Sequence, residues 1–173
     1  GGVGLNIIQA MAMSTAHPII AVDLFDNRLR LAKLLGATHT INASACDVQS
    51  EIQNILHDQD LDVFVDNTGQ PQIISMGYNL VCKTGRAILV GVPKAGADVT
   101  LHTLPLHFGK VLKGSHGGDA LPEKDIPKYM RLEALGKVDF TKLISKVYSL
   151  DHINDAIADM RNGTLAGRCI IRM

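Results

Sequence analysis

The chain has 173 residues, 17 Lys and Arg against 17 Asp and Glu, and an apolar content of 46%. That length supports one good core, and the zero net charge argues against the basic stripe that nucleic acid or an anionic membrane surface requires. No stretch approaches the roughly 18 apolar residues of a membrane span. The three cysteines, Cys46, Cys82 and Cys169, are too scattered for a disulfide framework or a finger-type zinc site. With no charged-then-apolar leader in view, a reducing cytoplasm is the expected location.

The chain opens Gly1-Gly2-Val3-Gly4 without a Met, the opening expected of a portion of something longer. Residues 5–13 follow as a helix apolar on most faces, hence buried. A turn at 14–18 leads into the β-branched run 19–22, which closes at Asp23. Asp26 and Asn27 can cap a second helix, which Gly36 stops. The alternation continues with a strand at 38–42, a helix at 47–57, a strand at 61–66, a helix at 70–83 and a strand at 86–92. Short strands are expected at 99–102 and 110–114, around a helical turn at 104–108. A helix at 122–135, a strand at 143–148, a helix at 151–160 and a strand at 168–172 complete the chain. Near-continuous apolar strands between helices predict an α/β fold, a doubly wound, mostly parallel sheet covered on both faces.

A glycine turn ahead of a buried helix lets backbone approach a pyrophosphate, and the helix N-terminus favours the negative charge. Alone this is weak, but Asp23 stands 19 residues beyond Gly4, close to the spacing of about 20 in a dinucleotide fold. At a strand end its carboxylate can take both hydroxyls of an adenosine ribose and would repel a 2′-phosphate, which favours NAD over NADP. The alternative is a loop carboxylate in another α/β fold.

Gly1-Gly2-Val3-Gly4-Leu5, Ala21-Val22-Asp23, the run 31–38, Val65-Asp66-Asn67-Thr68-Gly69, Val90-Gly91-Val92-Pro93, Lys113-Gly114-Ser115 and the tail segments 153–156 and 167–168 together resemble the zinc-containing medium-chain alcohol dehydrogenases, over essentially the whole chain. The resemblance implies that Gly1, Gly2 and Val3 meet the pyrophosphate, while Gly4 permits close helix–sheet packing. It places Asp23 on the adenosine ribose with Arg28 beside it, and Thr68 and Gly69 along the groove. It further implies that Val90, Gly91 and Val92 face the nicotinamide, that Ser115 lies near its carboxamide, and that Arg168 neutralises the pyrophosphate. Ordinary alternatives stand beside these: turn residues for Thr68 and Ser115, a solvated cation for Arg168.

In that family the catalytic zinc, its Cys-His-Cys ligands and the proton relay lie upstream of the glycine turn, so zinc is expected only there. No catalytic residue and no metal ligand is assigned in this chain. The seven histidines offer only His102 with His107, and His116 beside Asp119, and surface histidines account for both. The strand that normally precedes the turn is central in a 3-2-1-4-5-6 order, so two strands are expected to have unpaired edges, with the missing strand supplied by unseen residues, another chain or a rearrangement. Residues 1–117 are the expected cofactor domain, and 118–173 the segment returning to a catalytic domain, with apolar surface left exposed.

The resemblance also implies a small alcohol or aldehyde substrate, no nucleic acid or membrane partner, and a homodimer or homotetramer joined at the strands 99–102 and 110–113. The function expected is the NAD-binding portion of an alcohol dehydrogenase-like oxidoreductase, inactive in isolation. A zinc-free quinone or enoyl reductase of the same superfamily, and a non-catalytic nucleotide-binding fragment, are the competing readings.

Overall fold

Strands rich in Val, Ile and Leu alternate with helices along the computed structural model, which describes residues 1–173. The order is α1 (Gly2–Met13), β1 (Ile20–Asp23), α2 (Asp26–Leu34), β2 (His39–Asn42), α3 (Val48–Leu56), β3 (Leu61–Asp66), α4 (Pro71–Leu80), β4 (Val81–Leu89), β5 (Val111–Gly114), α5 (Pro122–Ala134), β6 (Ile144–Ser149), α6 (Ile153–Arg161) and β7 (Arg168–Arg172). Every strand pair is parallel. The chain divides into two compact units, Gly1–Ile52 with Glu123–Met173, and Gln53–Pro122.

In the first unit, β1 pairs with β2, Ile20 opposite His39 through Asp23 opposite Asn42. Leu5 of α1, Ile19 and Ala21 around β1, Ala32 and Leu35 of α2, Ala37 and Leu143 form one buried cluster. Each large aliphatic buried there contributes roughly 1.5–3 kcal/mol. Helix α2 carries Asp26 in its first turn and Lys33 in its last, which suits both ends of its dipole. Gly36 then ends it at φ +118°, where a Cβ would stand 2.7 Å from the Ala12 methyl. A second ladder joins β6 to β7 over a small core of Tyr148, Ala156 and Leu165. Asp159 of α6 fastens β6, accepting from the Tyr148 hydroxyl and from Lys146 Nζ at 3.0 Å. By contrast α5 buries none of its residues.

In the second unit the strand order is β3-β4-β5. Helix α4 starts on Pro71, the position where proline's missing N–H matters least. Tyr78, fully buried, donates its hydroxyl to His102 O at 2.9 Å, and the buried Lys110 donates to Tyr78 O at 2.8 Å.

Three sequence expectations need correction here. The strand expected at 99–102 does not form; the His102 carbonyl that a ladder would use is taken by Tyr78. The helix expected to reach residue 83 stops at Leu80, because the β-branched Val81 is already extended and opens β4. At its other end β4 stops at Leu89, and Val90 and Gly91 both turn their amides onto Asp66 O, at 2.7 and 3.0 Å. The expected unpaired edges are present: β1 pairs only with β2, and β3 is an end strand of its ladder.

Candidate functional site

At the start of the first unit, Leu5 is the first residue whose amide closes onto the helix, donating to Gly1 O at 3.1 Å. The amides of Gly2, Val3 and Gly4 therefore precede the α1 ladder. No acidic side chain occupies this first turn, so the positive end of the helix dipole is unmet. A Cβ at Gly2 would overlap the Arg168 side chain, which means the Arg168 guanidinium packs directly on the turn's backbone. Asp23, at the end of β1, has Oδ2 3.7 Å from the Gly1 nitrogen and Oδ1 3.5 Å from Arg28 Nη1. Its Oδ1 also accepts from the Phe25 amide at 3.2 Å, which fixes the carboxylate's direction. Arg28 lies over the Phe25 ring, 4.6 Å from the centroid, and its Nε is buried without a partner. Five of the predicted residues, Gly1, Gly2, Asp23, Arg28 and Arg168, are thus brought together. Val3 sits on the same first helical turn with its side chain exposed.

The second unit builds a different structure at the ends of β3 and β4. Asp66, 1% exposed, accepts from the Thr68 amide at 3.0 Å, the Thr68 hydroxyl at 2.6 Å and the Gly69 amide at 2.9 Å. Its carbonyl takes the Val90 and Gly91 amides. Gly69 has φ +69°, and a Cβ there would stand 2.5 Å from Val92 O; one on Gly91 would overlap the Gly69 amide nitrogen. Both glycines are required because two loop backbones touch. Thr68, Gly69, Val90, Gly91 and Val92 therefore form one knot, with Val92 89% exposed at its rim. Ser115 joins through its amide, which donates to Leu89 O at 2.8 Å, while its Oγ accepts from Gly118 N at 3.1 Å.

Sequence reasoning missed Asp66 as the organiser of this knot, although a carboxylate closing an apolar strand before Asn-Thr-Gly is a visible side-chain-turn signal. It also missed Phe25 beneath Arg28, for which no local signal exists. His116 and Asp119 are exposed and meet only through backbone, Asp119 N to His116 O at 3.0 Å.

Free amides opening a helix, facing a strand-end acid within parallel βα units, define a Rossmann-type α/β protein. Residues 2–134 match the zinc-binding dehydrogenase family, and the chain belongs to it. It is 33% identical to S-(hydroxymethyl)glutathione dehydrogenase of Paracoccus denitrificans, with 94% of this chain and 45% of the relative covered. It is 35% identical to alcohol dehydrogenase 1 of Trifolium repens, covering 100% of this chain and 46% of the relative. Among solved structures it resembles benzyl alcohol dehydrogenase from Acinetobacter calcoaceticus, with a TM-score of 0.89 at 36% identity over 99% of this chain and 47% of that one. An alcohol dehydrogenase zinc-binding domain protein from Burkholderia ambifaria has a TM-score of 0.89 at 34% identity, covering 100% and 46%. The chain thus spans about half the length of the relatives it matches.

Two groups follow from that membership. No three His, Cys, Asp or Glu side chains gather to hold a metal, so these residues do not fit a catalytic zinc. A dinucleotide fits better, since unladdered amides, a guanidinium and a strand-end carboxylate are the donors and acceptor that a diphosphate and a ribose need. No helix is long and apolar enough to cross a membrane.

Proposed function

We propose that this chain is the NAD-binding portion of a cytoplasmic alcohol dehydrogenase-like oxidoreductase that transfers hydride between a small alcohol or aldehyde and the nicotinamide. The observation that carries this is Asp23 Oδ2 lying 3.7 Å from the Gly1 nitrogen. A diphosphate held by the Gly2 and Val3 amides would leave its adenosine ribose at that carboxylate. Gly4, as in the family this chain resembles, permits α1 to pack closely on the sheet, and Arg168, packed on Gly2, supplies the positive charge a pyrophosphate needs. Arg28 flanks the ribose.

In the second unit, Thr68 and Gly69 line the groove, Val90, Gly91 and Val92 offer backbone and an apolar face to the nicotinamide, and Ser115 stands near its carboxamide. NAD, when bound, supplies the hydride acceptor; these residues bind it, orient it and exclude water. Calorimetric titration tests the reading. NAD should bind tighter than NADP by at least about tenfold, or 1.4 kcal/mol, and a preference for NADP would overturn the role given to Asp23.

Two further features support the wider assignment. The segment 118–173 includes α5, whose Ile126, Tyr129 and Met130 are exposed. That face suits packing on a catalytic domain of the kind the other half of the relatives would provide. Leu104, Leu106 and Phe108 are exposed just ahead of the edge strand β5, which supports a homodimer, or a homotetramer built from it, joined there. A monomer in sedimentation velocity would count against it.

A further inference from the structure

The loop after α6 makes contacts that the cofactor reading does not use. Gly163 ends that helix at φ +71°, and a Cβ there would stand 2.5 Å from both Cε1 and Cζ of Phe25. Glycine is needed twice over, for the backbone conformation and for the ring. Beside it, Asn27 Nδ2 donates to Gly163 O and to Thr164 O, both at 3.0 Å. Asn27 Oδ1 accepts from the Arg28 amide at 2.8 Å, so one side chain ties the corner to the start of α2. The corner itself is braced from behind, since the Thr164 amide and hydroxyl both donate to Asp159 O, at 3.1 and 2.9 Å. Phe25 therefore meets both the Gly163 backbone and the Arg28 guanidinium.

This matters for Arg28 because the ion pair alone holds it weakly. Its Nη1 is 3.5 Å from Asp23 Oδ1, long for a hydrogen bond, and both side chains stay partly open to water, which screens the attraction. The Phe25 face adds a cation–π contact at 4.6 Å and fixes where the guanidinium lies. An arginine free to swing near an adenosine ribose is the group that accommodates a 2′-phosphate. Held on Asp23, it instead completes a site selective for the free 2′-hydroxyl.

We propose that the Gly163–Thr164 corner is a specificity device: through Asn27 and Phe25 it holds Arg28 against Asp23 and so keeps the adenosine site closed to a 2′-phosphate. The proposal rests on the NAD reading above and adds Phe25, Asn27 and Gly163 as positioning residues. Neither the spacing of the glycine turn nor the position of Asp23 requires them.

The test uses ADP-ribose and 2′-phospho-ADP-ribose, titrated calorimetrically into the wild-type protein, Phe25→Leu and Asn27→Ala. Phe25→Leu keeps apolar bulk and removes the ring face. Asn27→Ala removes the donors to the corner and adds no charge beside the ribose. The wild type should prefer ADP-ribose, and each variant should narrow that preference by about three- to tenfold, the size expected of one such contact, with its melting temperature little changed. A preference equal to wild type in both folded variants overturns the specificity device and leaves the NAD reading intact. A wild-type preference for the 2′-phosphorylated ligand, or no binding of ADP-ribose, overturns the NAD reading and this inference with it. Should either variant fail to fold, the preference measured in the other decides.

Discussion

Asp66 accepts three hydrogen bonds through its carboxylate and two through its carbonyl, and it is almost completely shielded from water. Hydrogen bonds to a charged group contribute more than neutral ones, and a buried donor left unpaired adds its own penalty. Asp66→Ala should therefore lower the unfolding free energy by about 2–4 kcal/mol in urea titration, and weaken dinucleotide binding because the Thr68–Gly69 turn loses its anchor. A change below about 0.5 kcal/mol, the size of an ordinary surface substitution, would show that the turn holds itself. The contrast with Asp23 explains what could be read from the chain and what could not. Asp23 announces itself by its distance from a glycine cluster, a purely local relation. Phe25 and Gly163 meet across most of the chain's length, and no periodicity or spacing encodes that meeting. Arg168 falls between these cases, since the resemblance gave it a role but only the fold put its guanidinium on Gly2.

The helices and strands were largely legible because their apolar periodicity is strong, and the errors fall at boundaries and in short segments. Helix α4 and strand β4 abut without a loop at Leu80 and Val81, so an apolar run continued across a change of structure that sequence periodicity does not mark. The segment at 99–102 has strand-like composition, but a buried hydroxyl claims its carbonyl. A helical turn ahead of β6 provides an element-scale test. Asp139 accepts from the Thr141 hydroxyl at 2.6 Å and the Lys142 amide at 3.2 Å, and these bonds, the hydroxyl first, lower its pKa from 3.8 to about 2. A carboxylate whose folded pKa is depressed stabilises the native state above its unfolded value and loses that contribution as the proton binds. The stabilisation should be complete above about pH 5 and fade as pH falls through 3.8 toward about 2. In thermal melts, Asp139→Asn should shrink the gap between wild type and variant over that window; a gap constant with pH would exclude the mechanism.

At the scale of the molecule, each unit carries its own share of the proposed cofactor machinery. The first holds the glycine turn with its strand-end acid and two arginines; the second holds a backbone knot beneath an apolar rim. Membership in the dehydrogenase family was legible because many short segments agree, although each alone is weak. The division into units was not, because the first unit joins residues from both ends of the chain. The unpaired sides of β1 and β3 have a consequence for solvent. In parallel ladders alternate residues point their peptide groups to opposite sides. The carbonyls of Ile19 and Asp23 point toward β2, and that of Asp66 toward β4. Ile20, Val22, Val63 and Val65 are thus left addressing the other side. In heavy water their amide protons should be replaced by deuterium far sooner than those of Ala21 and Phe64, despite the apolar character of all six. Slow replacement at all four would mean that another polypeptide segment lies against them in solution.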